Sequence, residues 1–202
     1  MRKIRNVAPR PNEAQDSAVV AIDQQAEVLE AQRGDEDAWE NLYRRVYPRL
    51  RAYLARKVGA NDAEDAVNET MARAVAGIDN FRFGEAGFDG WVFGIARNVA
   101  AEHYRQADRR RRQVAAGQQV AAGTEPLEVP GDGLVLADDQ ELVRRQFARL
   151  SPAEQELLEL RVVAGLSADE VAAVLGKRPG AVRTAQSRAL EHLRRLMEGD
   201  DA

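Results

Sequence analysis

Asp62-Ala-Glu-Asp-Ala-Val-Asn-Glu-Thr-Met-Ala-Arg73 reads as one amphipathic helix with an acidic outer face. Ala63, Ala66, Val67, Thr70, Met71, Ala74, Val75 and Ile78 supply a buried stripe, while Asp62, Asp65, Glu69 and Arg73 fall on the outward side. Asn61 or Asp62 is placed to cap the first turn. Residues 61–70 hold four acids and no base, so this surface would repel nucleic acid and suits a basic protein partner. A merely solubilising face is the alternative, and composition does not choose between them. A hard cation fits poorly, because carboxylates spread along a helix do not converge as those of a binding loop do.

The periodicity extends both ways. Upstream, Trp39, Leu42, Tyr43, Val46, Leu50, Tyr53 and Leu54 mark one buried helix face from near Asp35, which Gly59 ends. Downstream, residues 80–90 contain three glycines and read as a loop. A third helix then buries Phe88, Trp91, Val92, Ile95, Val99 and His103, leaving Arg97, Asn98, Ala101 and Arg105 outward. Phe88 and Trp91 could stack on bases, although their spacing suits a core better.

Two capping boxes signpost the C-terminal part. Ser151-Pro-Ala-Glu154 and Ser167-Ala-Asp-Glu170 each place a serine three residues before a glutamate. The second opens a short helix through Val171 and Leu175 that Gly176 stops. Pro179 then starts a longer helix with Val182, Ala185, Ala189, Leu193 and Leu196 inward. Two helices joined by such a turn predict a helix-turn-helix.

Aromatic residues make up only 5% of the 202-residue chain, which favours helices over sheets. The expected fold is all-α, with two small helical domains joined by a flexible linker. The expected order is an N-terminal extension at 1–34, polar and partly disordered, with weak helical patterning from Val19 to Gln32; a bundle at 35–112; a glycine- and proline-rich linker at 113–137; and the helix-turn-helix module at 138–202.

The formal net charge of −4 conceals two basic regions. Residues 97–112 carry six arginines against Glu102 and Asp108, and residues 177–195 carry six bases against Glu191. The first exposed residues of a recognition helix enter the major groove, and Arg183, Thr184, Ser187 and Arg188 have suitable chemistry. Lys177 and Arg178 at the turn suit phosphates. A solvated basic helix in a small bundle is the weaker alternative, given these caps and this turn. Asn98 can read a base edge through paired hydrogen bonds, and nearby arginines can follow a nucleic-acid backbone.

Without cysteine there is no disulfide, thiolate metal site or cysteine nucleophile. His103 and His192 lie in different modules without metal-ligand spacing, and neither a nucleophile elbow nor a phosphate-cradling loop occurs. No enzymatic activity, metal or cofactor is expected. No apolar run approaches the roughly 20 residues needed to span a bilayer. Arg2, Lys3 and Arg5 are followed by Pro9-Arg10-Pro11 rather than a signal peptide's apolar stretch, so a cytoplasmic protein is expected.

In order and spacing, the helix Asp62–Arg73, the run Phe88-x-x-Trp91-Val-Phe-x-Ile95-Ala-Arg-Asn98, Leu150-Ser-Pro-x-x-x-x-Leu157 and Leu166-Ser-x-x-Glu170-Val-Ala-x-x-Leu175-Gly resemble the extracytoplasmic-function (ECF) sigma factors of the sigma-70 family. The resemblance covers roughly residues 35–112 and 138–197. It implies a subunit that carries core RNA polymerase to promoters. Asp62, Glu64, Asp65, Asn68, Glu69 and Arg73 would dock on the clamp helices of the polymerase β′ subunit. Phe83, Arg97, Asn98, Arg105 and Arg109 would handle the −10 element, with capture of a flipped base. Lys177, Arg178, Arg183, Thr184, Ser187 and Arg188 would read the −35 element. The resemblance further implies contact with the β flap, an anti-sigma factor as a candidate partner, and a monomer when free. Asn68 stands where glutamine is common, and Glu102 where aspartate is frequent. A helix-turn-helix regulator that binds duplex DNA alone is the competing expectation; it would need no acidic docking helix.

Overall fold

The computed structural model describes residues 24–84, 86–117 and 137–199. Every regular element among them is helical. The expected disorder before residue 24 and the heart of the expected linker fall outside the described residues.

Helix α1 (residues 24–32) packs Val28 and Ala31 into the core and ends at Gly34, whose φ of 89° only glycine adopts readily. Asp35 then caps α2 (Glu36–Val58) by accepting the Ala38 N–H at 2.8 Å. Helix α2 buries Ala38, Leu42, Val46, Leu50, Tyr53 and Leu54, and Gly59 ends it at φ 97°. Helix α3 (Ala63–Gly77) crosses it with Ala63, Ala66, Val67, Thr70, Met71 and Ala74 inward. A 3-10 turn (Ile78–Asn80) leads through a short loop into α4 (Gly87–Gly117). The C-terminal half comprises α5 (Ala137–Ala148), α6 (Pro152–Leu158), a π-helical turn (Glu159–Val163), α7 (Ala168–Leu175) and α8 (Pro179–Glu198).

Several details differ from the sequence expectation. Tyr43, read as part of the buried face of α2, is 38% exposed and lies against Tyr47. Val75 is 53% exposed, because it lies about 100° round the helix from Ala74, which takes the core position. Asp62 makes no side-chain cap; its backbone is already helical (φ −95°, ψ −3°), whereas a capping side chain needs extended backbone to reach back. His103 is half-buried rather than core, with Nε2 3.2 Å from Glu69. Both capping boxes form as expected, and Gly176 adopts the left-handed conformation (φ 63°) that lets the Lys177 N–H close onto the Ala172 carbonyl at 2.8 Å.

The two helical halves share a core. Leu42, Leu50, Val67, Phe88 and Phe93 from α2–α4 belong to one apolar cluster with Leu157, Leu160, Leu166, Val171 and Val182. Burial of each such side chain contributes about 1.5–3 kcal/mol. A satellite cluster of Leu150, Leu158 and Ala189, backed by Phe147, Leu193 and Leu196, fixes the far end of α8. Gly90 permits a close approach between halves: a Cβ there would lie 3.2 Å from Cβ of Glu170 on α7.

Candidate functional site

The acidic face of α3 divides in two. Asp62, Asp65 and Asn68 stand in solvent, as does Glu64, which accepts the Tyr47 hydroxyl at 2.9 Å and pairs with Arg51 at 3.3 Å. Their neighbours are tied inward. The Arg73 guanidinium donates to Glu69 at 2.6 Å and bridges both oxygens of Glu102 on α4 at 3.2 and 2.5 Å. These bonds hold Glu102 below the usual carboxylate range and raise the affinity of Arg73 for its proton. Glu69, Arg73, Glu102 and His103 therefore form a strut between α3 and α4.

One turn of α4 from that strut, Arg97 and Asn98 are exposed. Asn98 borders three recesses. One of about 790 Å³ is lined by Asn80, Phe81, Arg82, Trp91 and Gly94 and is roofed by Ala173 and Val174 of α7. A second, of about 370 Å³, lies between Arg73, Gly77, Phe81 and Ile95. The third, of about 320 Å³, runs toward Tyr53, Lys57 and Tyr104. Phe88 is fully buried, the core role its spacing suited, and Trp91 is half-buried against Phe81 with ring centroids 4.8 Å apart. Phe83 packs edge-on to Phe81 at 6.1 Å, while Arg105 and Arg109 project into solvent.

Sequence reading missed what holds this loop. The Gln32 amide of α1 donates to the carbonyls of Ile78 (2.7 Å) and Phe81 (2.9 Å). Gln24 donates to the buried Asp89 at 2.7 Å in the first turn of α4, where Arg49 also pairs with it. A single Gln leaves no periodic signal, so its partners emerge only from the fold.

On α8, Arg183, Thr184, Ser187 and Arg188 are all exposed on adjoining turns, with Lys177 and Arg178 beside them at the turn. Thr184 and Ser187 donate their hydroxyls to the Gly180 and Arg183 carbonyls, at 3.0 and 3.2 Å. Arg183 reaches Asp169 of α7 at 3.2 Å, a contact in solvent that costs little to exchange. Gln186 turns inward, accepting from Arg161 at 2.8 Å.

Also absent from the sequence reading is the charged seam between halves. Glu156 accepts the Tyr53 hydroxyl at 3.0 Å, pairs with Lys57 and lies 3.6 Å from Arg97. The buried Glu159 meets Lys57 and Arg56, the latter at 3.3 Å. Burial and the adjacent Glu156 carboxylate push the Tyr53 phenol far above its ordinary range. The π turn creates this placement, since its i→i+5 bond from Ala164 N–H to Glu159 O (2.9 Å) widens the helix beside the seam. Among the described residues no cluster of metal-ligating side chains occurs, and no helix is long and apolar enough to cross a membrane.

Comparison with known proteins matches residues 42–110 to sigma-70 region 2 and residues 140–193 to sigma-70 region 4. The chain is 35% identical to the ECF RNA polymerase sigma factor BldN of Streptomyces coelicolor, over 86% of its own length and 65% of that protein's. It is 32% identical to the ECF RNA polymerase sigma factor ShbA of Streptomyces griseus, covering 85% of this chain and 93% of the relative. Among solved structures it is similar to the sigma factor RpoE in complex with the anti-sigma factor NepR from Bartonella quintana, with a TM-score of 0.59, 27% identity, and coverage of 79% of this chain and 96% of that one.

Proposed function

The chain belongs to the ECF RNA polymerase sigma factors of the sigma-70 family, and on that footing we propose how its residues divide the work of starting transcription. Sigma factors are non-catalytic initiation factors: the chain binds core RNA polymerase, recognises −10 and −35 promoter elements and promotes opening of the duplex. It works where the polymerase does, in the cytoplasm.

The acidic side of α3, through Asp62, Glu64, Asp65, Asn68, Glu69 and Arg73, is the docking face for the β′ clamp helices. Asn98, with Arg97, Phe83, Arg105 and Arg109, handles the −10 element. Flipping a base costs a few kcal/mol of unstacking, which a shaped recess beside Asn98 offsets. Lys177, Arg178, Arg183, Thr184, Ser187 and Arg188 take the −35 duplex in the major groove. The observation that carries this division is the exposure of Asn98 where three recesses meet, next to the Phe81–Trp91 wall. An anti-sigma factor is a further expected partner, in keeping with the RpoE–NepR complex.

Run-off transcription tests this reading. Core polymerase plus this chain is expected to give promoter-dependent transcripts from some members of a genomic fragment library, and core alone none. No such transcript from any fragment would overturn it in favour of a regulator acting on duplex DNA by itself.

A further inference from the structure

Helix α1 lies outside the stretch that matches sigma-70 region 2, which begins at residue 42, and no docking or DNA-reading role has fallen to it. Val28 and Ala31 seat it in the shared core, and Glu27 pairs with Arg45 of α2 at 2.6 Å. Two further side chains of α1, Gln24 and Gln32, donate to neither α1 nor α2. They reach the two ends of the passage from α3 to α4. From position 24 to position 32 the helix rises about 12 Å, so the pair can span that passage from one rigid support.

Gln32 takes the near end. Its amide donates at 2.7 and 2.9 Å to the carbonyls of Ile78 and Phe81, the first residue and the C-cap of the 3-10 turn. Gln24 takes the far end. It is buried, it donates to Asp89 at 2.7 Å in the first turn of α4, and its Oε1 lies 3.4 Å from where a Cβ at Gly87 would stand. Gly87 has a φ of 58°, which suits glycine. The other contacts of Phe81 are of a different kind: its ring packs on Phe83, Phe88 and Trp91. Apolar packing is non-directional and fixes where the ring sits, whereas a hydrogen bond fixes the direction of the backbone carbonyl it meets. Phe81, Arg82, Gly90 and Trp91 line the recess beside Asn98, so the direction of that backbone sets the shape of the recess.

We propose that α1 is the template of the −10 recess: Gln32 and Gln24 are positioning residues that hold its two backbone borders in the base-accepting shape before DNA arrives, without touching DNA themselves. The assignment of Asn98 to the −10 element is the reading on which this rests. A recess shaped in advance does not have to order its own walls when a strand binds, so the two amides raise affinity for the fitting base. They do little for a base that does not fit, so they raise selectivity as well.

The test uses holoenzyme reconstituted from the full chain and core polymerase. The wild type selects its preferred strand from a randomised single-stranded DNA pool, and fluorescence anisotropy gives affinities for that strand and for its single-base variants. Gln32→Met keeps the side-chain length but removes the donor, and Gln32→Glu offers the two carbonyls only acceptors. Each of these, and Gln24→Met, is expected to weaken the selected strand by about tenfold and the single-base variants far less, with core and −35 duplex affinity unchanged. Gln32→Lys returns a donor and is expected to restore selectivity; affinity regained without selectivity would show the new charge acting on phosphates and would overturn the template. Wild-type strand selectivity in a folded Gln32→Met holoenzyme would also overturn it, and this half-buried position covers the case in which Gln24→Met misfolds. An equal loss for the −35 duplex, the mark of general destabilisation, would do the same. Asn98→Ala separates the two readings. If it leaves strand selectivity intact, or if the wild type selects no strand, the −10 assignment falls and takes the template with it. If Asn98→Ala destroys selectivity and the glutamine variants do not, the template alone falls.

Discussion

The two polar faces that sequence reading singled out are built in opposite ways. On α8, Arg183, Thr184, Ser187 and Arg188 stand in solvent and carry almost nothing of the fold. On α3, Glu69 and Arg73 are clamped to Glu102 and His103 of α4, so part of the proposed docking face also braces the helix that bears Asn98. A face that reads a rigid duplex can be a set of free side chains on a rigid helix. A face that docks a protein and must orient a neighbouring DNA-binding helix is wired into it.

This contrast can be broken in several ways. The largest effect is expected at α8: Arg183→Ala or Arg188→Ala should each cost about 1–3 kcal/mol of −35 duplex affinity, with melting temperature unchanged. A drop in melting temperature comparable to a core mutation would show that α8 is structural after all. On α3, Arg73→Ala should cost about 1–2 kcal/mol of stability, because the strut is half-exposed and screened, yet it should weaken both core binding and −10 recognition. Loss of core binding alone would mean the strut transmits nothing to α4. Gln32→Ala removes two hydrogen bonds from the loop carbonyls of Ile78 and Phe81 and should cost about 1 kcal/mol, seen as faster amide exchange in that loop and poorer −10 selectivity.

The smallest effect concerns pH. The Ser151 hydroxyl and backbone N–H, with His192, hold the Glu154 carboxyl down to about 2 from 4.5. Because its folded-state pKa is depressed, the stability it supplies is complete above pH 4.5 and is lost as pH falls toward 2. Glu154→Gln should therefore lower stability at neutral pH, where that contribution is complete, and flatten the acid limb, the two proteins converging as pH falls toward 2. An unchanged acid limb would place the sensitivity elsewhere.

Most of the helices were legible because their signals are local. The three-four stripe of α2, the boxes at Ser151 and Ser167, and the stop at Gly176 each depend on neighbours within a turn or two. Val75 was misread because, one residue past Ala74, it falls outside the buried stripe of α3 although its side chain is apolar. The packing of the halves was not legible for a different reason. Its polar seam sets Arg56, Lys57, Glu156 and Glu159, charged residues that hydropathy assigns to solvent, beside the buried Tyr53. Likewise the strut joins residues 29 and 34 positions apart, a pairing that no period along one helix encodes. The shared exposure of Arg183, Thr184, Ser187 and Arg188 was legible because it needs only one helix.

The most direct measurement is a paired titration of the Asp62→Lys, Asp65→Lys variant, with affinity for core polymerase and affinity for a −35 duplex measured on the same preparation. Both residues stand in solvent and brace nothing, so the fold is expected to survive. Core affinity is expected to fall by tenfold or more, about 1.4 kcal/mol, while duplex affinity does not fall. Undiminished core affinity in a folded variant would contradict α3 as the docking face and remove the basis for dividing the molecule between polymerase and promoter.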